Sequence, residues 1–264
     1  GTGLLGVSPH LMLSVNRAVA LVWTGRPGEA EKELDRIIED SRKTQPVTML
    51  SLYVAHAYHV IRCDLVGDAG AALAHGREAI GCVERVANAM LQLVAYCTWG
   101  VANVSNGEWQ VARDALDHAL GIARARHLGV YEGLALAMMA RVHVGLGDPA
   151  AGREVAEEAL DLCRRLGTHI WDIYAQLARL RALRELGGSG ARSEIEAALT
   201  AAADWIETTG GTSFVPFLHL ERAELARLTG DEAARQRELR EAHRLFTAMG
   251  APIRAAHVAQ ELCQ

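Results

Sequence analysis

The sequence is poor in aromatic residues, which make up 5% of its 264 positions, although half of the positions are hydrophobic. A core must therefore be built mainly from Ala, Leu and Val. Alanine is the best helix former, and its small side chain lets neighbouring helices approach closely. The composition therefore favours an all-α protein with tightly packed helices.

The sequence also lacks the short motifs that carry common chemistry. It contains no GxxxxGK(S/T) phosphate loop, no GxGxxG after a strand and no GxSxG nucleophile elbow. Acidic pairs such as Glu157-Glu158 and Asp231-Glu232 fall on polar faces or in first helical turns, where carboxylates interact favourably with the helix dipole. We therefore expect no enzyme activity, no catalytic residues and no cofactor in this chain.

Charge and hydropathy exclude two further classes of partner. The net charge is -5, and Lys32 and Lys43 are the only lysines, so the chain has no strongly basic face for nucleic acid. The most apolar run, residues 134–140, is followed by Arg141 and is far shorter than the roughly 20 residues that cross a bilayer. No signal peptide is visible. We expect a cytoplasmic protein that contacts neither nucleic acid nor membrane.

The cysteines are few and form no CxxC pair. An odd number of scattered cysteines is typical of small buried side chains in a reducing compartment. There are five: Cys63, Cys82, Cys97, Cys163 and Cys263.

Glycines mark an internal repeat of about 40 residues. Each of six glycines ends one run of helical periodicity and precedes another, at steps of 42, 40, 40, 40 and 43 residues: Gly25, Gly67, Gly107, Gly147, Gly187 and Gly230. Two helices per copy, a turn between them and a fixed period are the pattern of a helical solenoid. The sequence therefore predicts an all-α, right-handed α-solenoid of about six helix pairs with a C-terminal capping helix.

Domain boundaries follow from the same repeat. Residues 1–8 are glycine-rich, have no helical pattern and lack an initiator Met, so we expect a linker or cut end and a chain that is a fragment of something longer. Residues 9–264 are predicted to form a single solenoid domain. Its predicted repeats are 9–45, 46–87, 88–128, 129–167, 168–210 and 211–250, with a cap over 251–264.

The repeat resembles the tetratricopeptide repeat. With Gly107 at the turn position of that family, four residues fall where the family has its small and bulky packing residues: Gly100, Ala112, Leu116 and Ala119. The period is longer than the usual one of about 34 residues. The fifth copy departs from the pattern, because Arg192 replaces the small residue expected after the turn. The resemblance implies a binding surface on the inner, concave face of the array.

The longer period resembles the C-terminal repeat regions of large bacterial ATP-dependent transcription activators and of ATPase/nucleotide-cyclase fusion proteins. Residues 239–246, followed by Met249-Gly250-Ala251-Pro252, are similar to the tails of the cyclase fusions. This resemblance implies a non-catalytic interaction and sensing domain of a larger bacterial signalling or regulatory protein. Any ATPase or cyclase activity of such a parent would lie outside these residues.

The inner face is predicted to carry an apolar floor with a basic end. In the first three copies the groove-facing positions are Met12, Val15, Val19, Val22, Val54, Ala57, Ile61, Val94, Cys97, Val101 and Val104. Towards the C-terminus they become Arg141, Tyr174, Arg181, Arg184 and Arg227. Arginine binds carboxylates and phosphates bidentately, so this end would suit a peptide or an anionic effector. Alternatively, the arginines pair with Glu185, Glu221 and Glu224, and the valines are buried against neighbouring helices.

One histidine pair has the spacing of two metal ligands. His56 and His59 are spaced i and i+3 on one helix face, with Asp64 further along. A metal site needs a third and a fourth ligand, and no HExxH motif or Cys/His cluster supplies them. We therefore interpret the pair as buried or groove histidines and expect no metal.

Two functional hypotheses remain open. In the first, the chain is the effector-sensing repeat domain of a larger protein and binds a protein, a peptide or a small effector in its groove. In the second, it is a self-standing intracellular receptor for a short signalling peptide. An apolar inner face also predicts self-association as a homo-oligomer, since exposed apolar patches usually mark interaction sites.

Overall fold

A computed structural model describes residues 9–43, 49–83 and 88–263. Residues 1–8, predicted to be a linker, and the side chain of Met12 lie outside the described residues. The described part contains thirteen α-helices and two 3₁₀ helices, and no strand. The prediction of an all-α solenoid is confirmed.

The helices alternate between an inner and an outer position in six antiparallel pairs. The first helices of the pairs are α1 (Pro9–Trp23), α3 (Met49–Val66), α5 (Ala89–Ser105), α7 (Gly129–Gly145), α9 (Asp172–Gly187) and α11 (Val215–Thr229). The second helices are α2 (Pro27–Lys43), α4 (Ala69–Val83), α6 (Trp109–Arg126), α8 (Pro149–Leu166), α10 (Arg192–Thr209) and α12 (Glu232–Ala248). The last helix, α13 (Pro252–Leu262), packs on α12.

Glycines end the first helix of five pairs, as the repeat predicted. Gly25, Gly67, Gly107, Gly147 and Gly230 have φ between 74° and 85°. A residue with a Cβ is strained in this left-handed conformation, which is why glycine occupies the turn.

The fifth pair differs from the prediction. Gly187 is the last residue of α9 and has φ -112°, while Gly188 has the positive φ of 51°. A 3₁₀ helix, Gly188–Ala191, then separates α9 from α10. In this connection the left-handed backbone conformation therefore occurs one residue later than predicted, at Gly188.

Small residues set the distance between the two helices of a pair. A Cβ at Gly100 in α5 would lie 2.6 Å from the side chain of Leu116 in α6. Ala112, Leu116 and Ala119 are fully buried at this interface. The residues that carry the tetratricopeptide resemblance therefore make the close helix contact.

The two ends of the array meet. The Ser213 hydroxyl, in the 3₁₀ helix Thr212–Phe214, donates a hydrogen bond to the Val22 carbonyl and accepts one of 2.8 Å from the Gly25 backbone amide. At a second contact, α13 packs against α3, where Arg254 reaches the backbone of Asp64. These contacts close the array on itself. The side enclosed by the first helices is here called the inner channel, and its middle is filled by buried side chains such as Tyr174 and Phe214.

Four cysteines, Cys63, Cys82, Cys97 and Cys163, are buried, and Cys263 is exposed; none of the five forms a disulfide.

Across residues 9–43, 49–83 and 88–263, none of the helices combines the length and the apolar character that crossing a membrane requires.

Candidate binding sites in the inner channel

Five aromatic residues form a cluster in the interior of the array. The indole of Trp23, at the end of α1, lies 6.0 Å from Trp171, 6.3 Å from Tyr174 and 5.4 Å from Phe214 between ring centroids. Trp205 lies 6.1 Å from Trp23 and donates a hydrogen bond to the backbone carbonyl of His169. This aromatic cluster joins the first pair of helices to the last two pairs.

A pocket of about 340 Å³, here called the apolar pocket, opens at the end of the channel formed by the N-terminal parts of the first helices. Its floor is aliphatic, and Tyr58 and Tyr131 contribute aromatic walls. Its lining residues include Val15, Val19, Val54, Tyr58, Ile61, Met90, Val94, Tyr131 and Trp171. Met90 is 44% exposed at its edge, so part of this apolar surface faces solvent. No charged residue lines it among the described positions.

A second cavity of about 300 Å³, here called the arginine cavity, lies at the other end of the channel, where the first helices finish. It is bounded by α3, α5, α7, α9, α11 and α13, by the start of α6 and by the 3₁₀ helix Thr212–Phe214. Its lining combines charged and apolar residues, including Asp64, Ser105, Trp109, Arg141, Tyr174, Leu177, Arg181, Phe217 and Arg254. It shares no lining residue with the apolar pocket.

A buried ion pair forms one wall of the arginine cavity. The guanidinium of Arg141 donates two hydrogen bonds of 3.1 Å to the carboxylate of Asp64, and the Ser105 hydroxyl donates a third of 2.8 Å. Burial raises the pKa of Asp64, but the charge and hydrogen bonds of Arg141 outweigh burial and hold that pKa below its usual value. The carboxylate of Asp64 is therefore charged and fully engaged at neutral pH.

The remaining predicted arginines share two glutamates. Arg184 lies 3.0 Å from Glu221 and 3.8 Å from Glu224, and Arg181 lies 3.5 Å from Glu221. Arg227 pairs with Glu224 at 2.9 Å on the surface. These contacts are the ones expected if the arginines pair with glutamates and do not bind a ligand.

The predicted site residues divide between the two cavities and the core. Val94 lines the apolar pocket, and Arg141, Tyr174 and Arg181 line the arginine cavity. Arg184 lines a neighbouring, more open depression of about 420 Å³, which Arg141 and Arg181 also border. Arg227 lines none of these three cavities.

Cys97 and Val101 do not face the groove as expected, because both are fully buried. The inner face of α5 is covered by neighbouring helices at these two positions. Of the other predicted groove positions, Val22 is also fully buried, while Val104 borders the arginine cavity. Val15, Val19, Val54, Ala57 and Ile61 line the apolar pocket.

Three important residues were not identified from the sequence. Arg254 comes from the capping helix, which lies outside the repeat register and therefore gave no groove position. Trp109 is the first residue of α6, a second helix, and the groove positions were predicted only on first helices. From the sequence, Asp64 was identified only as a residue near the two histidines. Its position among the apolar residues Ile61, Cys63 and Leu65 indicates a buried carboxylate, which needs a partner of opposite charge.

The histidine pair belongs to a cluster of three. His56 Nδ1 lies 3.0 Å from His75 Nδ1, the ring of His59 stacks on His75 at 4.0 Å, and His59 Nε2 lies 3.2 Å from Asp35. Burial lowers the pKa of His56 to about 4 and that of His59 to about 2. In the described ranges no group of three or more His, Cys, Asp or Glu side chains has an arrangement that could hold a metal ion. The three rings are therefore neutral and packed at the α3–α4 interface.

No protein-family model matches the chain. No curated protein sequence matches it either. Solved structures are similar in fold. A Rap protein in complex with competence and sporulation factor has a TM-score of 0.67 at 13% identity, over 97% of this chain and 70% of that chain. BtubC from P. vanneervenii has a TM-score of 0.55 at 16% identity, over 92% of this chain and 93% of that chain.

Proposed function

We propose that this chain is a non-catalytic binding domain whose inner channel receives a peptide segment in the apolar pocket. The pocket itself is the observation that carries the proposal. It is a concave surface of about 340 Å³ on the inside of a closed array, lined by aliphatic and aromatic side chains from α1, α3, α5 and α7. Concave, mostly apolar surfaces with a few polar groups are typical of ligand sites.

The dimensions and chemistry of the pocket favour apolar side chains of an extended partner. Thr98, Ser51 and Asn16 are polar lining residues that could orient a backbone, while no charged residue contributes to the wall among the described positions. The similar Rap protein binds competence and sporulation factor, as its complex records. A protein of similar fold thus binds a ligand, which supports a binding role for this fold here.

The context of the domain is the second part of the proposal. We propose that it serves a cytoplasmic bacterial signalling or regulatory protein, in which binding in the channel changes the curvature of the array and thereby an attached output domain. The resemblance of the tail to those of cyclase fusions supports this setting. A self-standing receptor for a short peptide fits the same pocket, and the two settings differ only in whether an output domain is attached.

The test is a selection of random peptides on the immobilised chain, followed by calorimetric titration of the best peptide. The informative variant is Met90→Asp, which places a charge at the exposed edge of the apolar pocket. The matched control is Val111→Asp on α6, because Val111 is 42% exposed, close to the 44% of Met90, and lines none of the cavities described. We expect Met90→Asp to weaken binding by about tenfold or more, equivalent to about 1.4 kcal/mol, and Val111→Asp to leave it unchanged.

A second variant, Val94→Asp, tests the interior of the pocket and should abolish binding while the helical content stays the same. The proposal fails if no peptide gives saturable binding. It also fails if the selected peptide binds Met90→Asp as tightly as the original chain.

A further inference from the structure

The arginine cavity contains more positive than negative charge. Three arginines line it, Arg141, Arg181 and Arg254, and Asp64 is its only acidic lining residue in the described chain. The carboxylate of Asp64 is already bonded to Arg141 through both oxygens. The ion pair of Asp64 and Arg141 is therefore neutral, and two guanidinium groups remain.

In the described part of the chain, Arg254 bonds to no carboxylate, and Arg181 shares the carboxylate of Glu221 with Arg184. Arg254 donates only to backbone carbonyls, that of Asp64 at 2.6 Å and that of Leu65 at 3.4 Å, and lies over the ring of Phe217 at 5.3 Å. Arg181 reaches Glu221 only at 3.5 Å, and that glutamate is bonded more closely to Arg184.

The electrostatic surroundings of Arg254 show the same excess of positive charge. Burial lowers the pKa of Arg254, and the neighbouring charges of Arg141 and Arg181 lower it further against the attraction of Asp64. A bound anion would relieve this repulsion, because an opposite charge favours the protonated guanidinium.

Tyr174, which lines the same cavity, carries a buried hydroxyl without a partner in the described structure. Tyr174 is 2% exposed, its ring belongs to the aromatic cluster, and its hydroxyl has no hydrogen-bond partner in the described structure. A buried hydroxyl without a partner is costly, so such groups usually have a ligand, ion or water as their partner. Tyr174 lines the same cavity as Arg181 and Arg254.

We propose that the arginine cavity binds a small organic acid, with its oxyanion, a carboxylate or a phosphate ester, between Arg181, Arg254 and the hydroxyl of Tyr174. The apolar body of the acid then packs against Trp109, Leu177 and Phe217. The volume of about 300 Å³ limits the ligand to a small molecule. Arginine suits this role, since its planar fork matches both carboxylate and phosphate oxygens.

This site does not depend on the peptide site. The bound acid would contact α9, α11 and α13 together, and it would therefore strengthen the contact that closes the array. Because the two cavities share no lining residue, Met90→Asp should leave acid binding unchanged, and either proposal can fail alone.

The experiment is calorimetric titration of the full chain, at fixed ionic strength, with three probes: phenylpropionate, phenyl phosphate and the uncharged phenylpropionamide. We expect at least one acid to bind at one site per chain, about tenfold or more tightly than the amide. A preference for phenylpropionate identifies a carboxylate site, and a preference for phenyl phosphate identifies a phosphate site. Both results support the oxyanion proposal.

Two substitutions locate the bound acid. Arg181→Gln removes one guanidinium, and Glu221 still pairs with Arg184 in this variant. Tyr174→Phe removes only the hydroxyl. Both variants should therefore fold. We expect each to weaken acid binding by about tenfold, equivalent to about 1.4 kcal/mol. The control Arg227→Gln removes one charge from the surface near the cavity and should change nothing. The proposal is overturned if neither acid binds, if the amide binds as well as the acids, or if Arg181→Gln and Arg227→Gln have equal effects.

Discussion

The guanidinium of Arg254 donates a hydrogen bond of 2.6 Å to the backbone carbonyl of Asp64, 190 positions earlier in the sequence. This bond joins the last helix of the array to the second repeat. It also satisfies a carbonyl in the last turn of α3, where helices leave carbonyl groups without intrahelical partners. Closure of the array therefore depends on a residue outside the repeat pattern.

Replacing Arg254 should loosen α13 without unfolding the other repeats. In Arg254→Ala we expect faster amide exchange in α13 and at the end of α3, because their shared hydrogen bonds and the contact with Phe217 are lost. Hydrogen-exchange mass spectrometry checks this result. Arg244→Ala, which removes an exposed pair with Glu241 on α12, is the control and should leave exchange in α13 unchanged. Equal exchange in the two variants would contradict the role of Arg254.

Asp64→Ala should be strongly destabilising. It leaves the buried guanidinium of Arg141 without its carboxylate, and breaking a buried pair from one side typically costs about 3–5 kcal/mol. Urea unfolding of the variant measures the loss in free energy of unfolding. The double variant Asp64→Leu with Arg141→Met should recover most of it, because the unpaired buried charge of Arg141 is removed. If the double variant is no more stable than Asp64→Ala, the loss does not come from the unpaired arginine.

Two glycine substitutions in one helix pair should act in opposite directions. Gly100→Ala places a Cβ 2.6 Å from Leu116, which is fully buried and has no room to move, so we expect a loss of about 1–3 kcal/mol. Gly121→Ala on α6 meets no neighbouring atom within 4 Å and should gain about 0.5–1 kcal/mol from helix propensity. Thermal unfolding compares the two variants. A loss at both positions would show that α6 is not packed as described.

The histidine cluster predicts a dependence of stability on pH. Burial lowers the pKa of His56 to about 4 and that of His59 to about 2, against an ordinary value of 6.5. Between pH 6.5 and pH 4 the unfolded chain therefore binds protons that the folded chain does not, and the free energy of unfolding falls as pH falls. The slope is at most about 1.4 kcal/mol per pH unit for each ring.

The variant His59→Phe keeps a ring against His75 and removes one titrating group. Its free energy of unfolding, measured by urea titration at several pH values, should fall less steeply over this range than that of the original chain. An unchanged slope would show that His59 is protonated in the folded state.

The helices were predictable because their pattern is local. The turn glycines need only the residues on either side, and five of the six predicted positions have the expected left-handed backbone. The exception, Gly187, is followed by a second glycine that takes this conformation instead. Packing contacts such as Gly100 with Leu116 also follow from the repeat, since they recur within one pair of helices.

The sites were less predictable because they depend on contacts between distant repeats. Small rotations add up along a solenoid, so a repeat pattern does not say which repeats meet across the channel. Ser213 contacts Val22, and Arg254 contacts Asp64, only because the array closes. The same closure buries Tyr174 and brings Arg181 into a cavity. His75 was missed because it lies on the partner helix α4, where no spacing rule joins it to His56.

The central claim is that the inner channel is the binding surface of this chain. Hydrogen-exchange mass spectrometry with and without the selected peptide tests it most directly. We predict slower exchange in the N-terminal halves of α3 and α5, which line the apolar pocket, and no change in α6 or α8 on the outside. Slower exchange confined to α6 and α8, with α3 and α5 unaffected, would contradict the claim.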